Sequence, residues 1–297
     1  KEISNDLKIK ESQVEATLVL LEEGNTIPFI ARYRKEKTGS LDEEQIRTIS
    51  EVYEYQVNLL KRKEDVIRLI DEKGLMTDEL KSQIMNATKL VEVEDLYRPY
   101  KEKKKTKATD AINQGLEPLA KMIMSFPMAG SLEDMAHKFL NDKVKTVEDA
   151  ITGAKYIIAE WISDNASYRK WIRVNTYLYG TITSKKKKDA DDPNKIYDMY
   201  YDYSEAIKHI KPHRVLALNR GEKEKVLIVS ISFDTNKVME YLEKKLIKNP
   251  SSFVTDTVKD AIRDSYKRLI EPSIEREIRS ELTERSEVVA IDNFGKN

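Results

Sequence analysis

The chain has 297 residues, enough for a substantial core in more than one part, and its 52 basic and 52 acidic side chains cancel, so no global field draws it toward nucleic acid or membrane. Cysteine is absent, which excludes disulfides, thiol nucleophiles and cysteine-based zinc sites. No apolar run approaches the roughly 20 residues of a membrane span and the opening KEISNDLKIKESQVEA has no signal-peptide core, so a cytoplasmic protein with no membrane partner is expected.

With only 9 glycines and 8 prolines, and many Glu, Lys, Leu and Ile, the composition predicts a mainly α, multi-helical fold. Val14, Leu18 and Leu21 share a helical face that Gly24 and Asn25 terminate. TIPFIARYRKEKTG then reads as one short helix, opened by Pro28 and closed by Gly39, with a basic outer face. Two short helices so tightly joined have helix-turn-helix character. Ser40 with Glu43 forms the pattern of a capping box. Ile46, Ile49, Tyr53, Leu60, Ile67 and Ile70 follow as a near-heptad stripe, interrupted by Gln56 and Lys63 and ended by Gly74. One helix of about 30 residues is predicted, longer than the globular mean. Thr77 caps the next.

Pro99 and the lysines around it predict an exposed connection. Thr146 caps a helical region running through Ile157, Ile158 and Trp161 to Trp171. NTYLYGTITS and the run from Val226 to Phe233 alternate as strands, which predicts a small two-stranded β element. Between them, SKKKKDADDPNK reads as a polar loop and YDMYYDYSEAIKHI as a tyrosine-rich helix. In KPHRVLALNRGEKEKVLIVSI, Pro212 opens a short helix that turns Val215, Leu216 and Leu218 inward, and Gly221 reads as its left-handed cap. Val258, Ile262, Ser265, Leu269 and Ile278 mark a long C-terminal helix that Pro272 should kink.

Chemistry-bearing patterns are sparse. His209 and His213 have the spacing of a helical metal pair, but Pro212 between them breaks the helix, so no metal site and no cofactor are expected. A glycine-rich phosphate loop and a nucleophile elbow are both missing, so catalysis is not expected either. The basic residues carry more information. Arg98, Lys101, Lys103, Lys104, Lys105 and Lys107 face one acid, Glu102, with Tyr97 and Tyr100 interleaved. Such a segment lines phosphates, or it is a solvated connection whose tyrosines pack inward. Arg32, Arg34 and Lys35 raise the same alternative, because Phe29 and Tyr33 beside them look like packing residues. Lys185 to Lys188 are offset by Asp189, Asp191 and Asp192. Arg214 and Arg220 either pin neighbouring elements through carboxylates or carbonyls, or face a nucleic acid.

Three stretches, EGNTIPFIARYRKEKTGSLDEEQIR, EDLYRPYKEKKKTKATDAINQGLEPLA and HRVLALNRGEKEKVL, resemble, in order, the bacterial Tex family of transcription accessory proteins. The resemblance implies a larger protein with a helical N-terminal region, an RNase H-like domain, helix-hairpin-helix elements and a C-terminal OB-type RNA-binding domain. This chain is then expected to be an N-terminal piece, its closing VVAIDNFGKN lying where the RNase H-like part would begin. The expected organisation is a helical region over 1–110, a second over 111–176, a small mixed α/β element with a lysine-rich loop over 177–234, and long helices over 235–297 leading to the missing domain. The implied role is scaffold and interaction region of a protein that binds RNA or DNA, and the local basic charge predicts that any contact here is electrostatic and sequence-independent. The alternative is a module that docks the missing domains of the same chain or the transcription machinery.

Overall fold

A computed structural model describes the backbone of residues 1–296 and the side chains of residues 1–287. The closing VVAIDNFGKN, read above as the approach to a further domain, lies outside the described side chains. The fold is mainly α, with one small antiparallel sheet and a long C-terminal helix. The chain divides into two compact units, Lys1–Tyr97 and Arg98–Asn297.

The first unit contains α1 (Glu2–Leu7), α2 (Glu11–Glu22), α3 (Ile27–Tyr33), α4 (Lys35–Thr38), α5 (Glu43–Glu72), α6 (Asp78–Asn86) and α7 (Leu90–Tyr97). The Thr26 hydroxyl accepts from the Phe29 amide at 3.3 Å, and Pro28 sits in the first turn of α3. The single short helix predicted up to Gly39 is two, because Arg34 leaves the helical region at φ −128°. Gly39 closes α4 at φ 70° and Ser40 continues the left-handed path at φ 65°. Ser40 therefore does not cap α5. Asp42 does: it accepts from the Gln45 amide at 2.7 Å, and the Gln45 side chain accepts from the Asp42 amide at 3.0 Å.

At 30 residues α5 has the predicted length. Its buried line runs through Ile46, Ile49, Leu59, Lys63, Val66 and Ile70, not through Tyr53 and Leu60, which are 48% and 47% exposed. A strict seven-residue repeat drifts around a straight helix, so the inner face passes to the neighbouring positions. Lys63 is buried by its stem, and its ammonium donates to the Met85 carbonyl at 2.8 Å in the last turn of α6, where the helix dipole favours a cation.

The second unit carries a 3₁₀ turn at Arg98–Tyr100, α8 (Lys107–Asn113), α9 (Glu117–Ile123), α10 (Leu132–His137), α11 (Val147–Ser163) and α12 (Ala166–Tyr179). The expected 110/111 division falls inside α8. The helical region through Trp171 is broken at Asn165, whose side chain caps α12 by accepting from the Tyr168 amide at 3.0 Å. Next come β1 (Thr181–Lys186), β2 (Asp202–Ala206), α13 (Pro212–Lys223), β3 (Leu227–Ser232), α14 (Thr235–Leu246), α15 (Thr255–Asp264) and α16 (Glu271–Lys296). Ile157, Ile158, Leu218, Val258, Ile262 and Ile270 belong to one continuous core.

The sheet has three strands rather than two, in the order β2-β1-β3, all antiparallel. The extra strand, β2, comes from the tyrosine-rich segment expected to be helical; Thr183 pairs with Ser204 on one side and Ser230 on the other. Tyrosine suits a half-buried strand better than a helix. Lys185 and Lys186, expected in a loop, extend β1. Pro212 opens α13 as predicted, but Gly221 is a buried residue within that helix rather than its left-handed cap. A Cβ there would lie 2.4 Å from Leu227 Cδ1, so glycine permits close helix–strand contact, and the left-handed residue is Lys225 at φ 62°. The interruption expected near Pro272 takes the form of a π-helical turn over Ser265–Ile270, upstream of a residue that cannot donate a helical hydrogen bond.

Candidate nucleic-acid interface

The basic segment after Tyr97 is a 3₁₀ turn and a short loop leading into α8. Thr106 opens α8 by accepting from the Thr109 amide at 3.1 Å, and its hydroxyl donates to Glu160 at 3.0 Å. Lys103 turns toward α11, with its ammonium 2.7 Å from Glu160 and bonded also to Asp164, the C-cap of α11. A cation at a helix C-terminus is favoured by the dipole. Burial pushes the Asp164 carboxyl above its usual value, while Lys103 opposes the rise and the Glu160 charge adds to it. Lys103 is thus tied to α11 through two carboxylates.

Its neighbours differ. Lys101, Lys104, Lys105 and Lys107 are exposed, and Arg98 is half-buried near Asp164. Lys107 lies over the Tyr156 ring at 5.0 Å, with Arg268 near the same ring at 5.2 Å. The anchored lysine holds a loop that presents the other four to solvent. In the first unit, Arg32 and Lys35 are exposed, whereas Arg34 donates to the Tyr33 carbonyl at 2.9 Å and lies over Phe29 at 4.8 Å. Tyr33 packs on Phe29 with ring centres 5.2 Å apart and is otherwise 56% exposed.

Arg214 pins α13 to β2, donating to the two Glu205 oxygens at 3.1 and 3.2 Å, with Tyr203 also donating to Glu205. Arg220 is exposed. From the same motif, Asn219 and Glu222 accept from Arg279 of α16 at 2.8 and 3.1 Å. The cavity of about 720 Å³ beside them mixes Glu222, Glu275 and Glu284 with Arg276 and Arg279, and so has no preference for anions. His209 ends a 3₁₀ turn while His213 belongs to α13, and no metal-holding cluster occurs among the described residues.

The N-terminal domain of Tex-like proteins matches residues 1–71, and the Tex central region matches residues 129–294. The chain belongs to the Tex family. It is 52% identical to the uncharacterized protein YdcI of Bacillus subtilis (strain 168), over 100% of this chain and 42% of the relative. It is 32% identical to the transcriptional accessory protein Tex of Neisseria gonorrhoeae, over 99% of this chain and 40% of the relative. It is also 31% identical to S1 RNA-binding domain-containing protein 1 of Homo sapiens, over 94% of this chain and 29% of the relative. The chain therefore spans under half the length of these relatives. No helix of the described residues is long and apolar enough to cross a membrane.

One constellation in this Tex chain was missed at the sequence level. Trp171, Asn175 and Tyr179 share a face of α12, and Lys237, Tyr241 and Lys244 share a face of α14; with Phe233 and Glu240 they line a groove of about 420 Å³. Each helical spacing is visible in the sequence. That the two faces meet is a consequence of the tertiary fold, and no local pattern encodes it.

Proposed function

We propose that this chain is the helical scaffold and interaction region of a nucleic-acid-binding transcription accessory protein, without catalytic activity of its own. The observation carrying this reading is the loop at 101–107, where Lys103 is tied to Glu160 and Asp164 while Lys101, Lys104, Lys105 and Lys107 stay in solvent. Four ammonium groups on an anchored loop suit phosphates of any sequence. Arg32 and Lys35 supply further charge, and α2 with α3 has the brevity of a helix-turn-helix pair. Two relatives, one named a transcriptional accessory protein and the other an S1 RNA-binding domain-containing protein, support the association with nucleic acid.

Binding of labelled single-stranded RNA and duplex DNA, followed by fluorescence anisotropy across salt, tests it. Four phosphate contacts weaken single-strand binding by about 50-fold between roughly 50 and 200 mM salt. Binding indifferent to salt contradicts the reading.

A second reading is favoured by α5. Tyr53, Val57 and Leu60 lie at successive turns of that helix and are 48%, 44% and 47% exposed. Such a stripe suits a protein partner, either the remaining domains of the longer protein or the transcription machinery. Co-purification with separately expressed downstream domains, abolished by Val57→Glu, is the expected outcome under this reading. Association unchanged by the substitution rules out the stripe.

A further inference from the structure

The groove between α12 and α14 combines a flat aromatic surface with unpaired positive charge. Trp171 and Tyr241 stack with ring centres 3.9 Å apart and planes within 4°, and Tyr168 meets Tyr241 edge-on at 6.2 Å. The Asn175 amide donates to the Trp171 carbonyl at 2.8 Å. Trp171, Asn175 and Tyr241 all line the groove. Tyr179, the last residue of α12, is 65% exposed at one end of the groove. Its backbone position is set by Gly180, where a Cβ would lie 2.4 Å from the Thr176 carbonyl oxygen and 3.0 Å from that of Ser232.

Lys208 and Lys237 each place an ammonium 6.0 Å from the Tyr179 ring centre, and Lys245 lies 5.8 Å from that of Tyr241. Lys244 completes the rim, and Glu240 is the one carboxylate in the lining. None of these four lysines has a carboxylate partner among the described residues. An acidic peptide would use the lysines and leave the exposed ring idle, while an apolar peptide would strand the ammonium groups. A base flanked by phosphates uses both, and the volume lies within the range of small-ligand sites.

We infer that this groove binds single-stranded nucleic acid, seating one base against Tyr179 with the adjoining phosphates on Lys208, Lys237 and Lys244. The inference rests on the nucleic-acid reading above, but it assigns binding to a place distinct in sequence from the loop at 101–107.

The test measures the affinity of the whole chain for three fluorescein-labelled 12-mers: uridine, thymidine and an abasic deoxyribose-phosphate strand. Tyr179→Ala, at an exposed position, is expected to weaken the uridine or thymidine probe, or both, by about tenfold and to leave the abasic probe unchanged, since base–aromatic stacking is what it removes. Which base-bearing probe loses affinity identifies RNA or DNA as the source. Lys237→Gln with Lys244→Gln should weaken all three and flatten the salt dependence. In a Trp161→Phe background, quenching of Trp171 by the uridine or thymidine probe provides a second readout. The inference is overturned if Tyr179→Ala binds both base-bearing probes as the parent does while Lys104→Gln with Lys105→Gln weakens them; the loop then stands alone. Absence of binding by every probe at low salt removes the groove and the loop together.

Discussion

Among the described residues Arg169 is the largest fully buried side chain, and its guanidinium donates to the Ser163 carbonyl at 3.0 Å and to the Ser163 and Ser273 hydroxyls, 3.6 Å from Glu277. It ties α11 and α12 to α16. Removing one member of such a buried set leaves the others desolvated, so Arg169→Met is expected to cost about 3–5 kcal/mol in urea unfolding. A loss within experimental error would show that solvent reaches the site. Gly221→Ala is expected to cost about 1–3 kcal/mol by overpacking against Leu227. Burial and the Glu224 contact push Tyr197 up to about 12, the Asp192 hydrogen bond does the same for Tyr201, and burial with Glu205 for Tyr203. All three hold their protons more tightly folded than unfolded. Their contribution is complete below the ordinary value of 10.0 and is lost as pH rises through about 12. Absorbance at 295 nm should show a tyrosinate step above pH 11 that shrinks in Tyr197→Phe; a single step near pH 10 in the folded chain would contradict these environments. Little of this was legible in the sequence. An arginine within an amphipathic helix reads as solvent-facing, and a glycine after a basic helix reads as a cap until its neighbour across the fold is known.

At the scale of elements, legibility followed the range of the interactions. Thr77 and Thr146 bond to amides three residues ahead, at 3.1 Å each, and both caps were visible in the sequence. The opening of α5 reads in the sequence as Ser40 with Glu43, whereas the cap in the structure is Asp42 with Gln45, because Ser40 sits at a positive φ of 65°. Asp42→Ala is accordingly expected to cost about 1 kcal/mol, whereas Ser40→Gly is neutral or stabilising because glycine accepts that backbone freely. Thermal unfolding of the two variants checks this, and the reverse order would restore Ser40 as the cap. The strand β2 was misread because its pairing with β1 is what organises it, and a five-residue run has too little period of its own. The long helix α5 was legible in extent, since 30 residues of propensity and pattern agree. Its inner face was not, because a seven-residue repeat and a 3.6-residue turn diverge over that length.

For the whole molecule, a charge balance of 52 against 52 makes any attraction to nucleic acid a matter of where the unpaired cations lie. The basic segment was legible as a cluster of residues. What the sequence could not separate was Lys103, consumed by Glu160 and Asp164, from the four lysines left in solvent. That division makes the central claim measurable through the slope of log affinity against log salt. Replacing Lys101, Lys104, Lys105 and Lys107 together with Gln is predicted to reduce the single-strand slope by about 2.8, at roughly 0.7 per phosphate contact, with thermal stability unchanged. An unaltered slope and affinity in that variant would contradict the account.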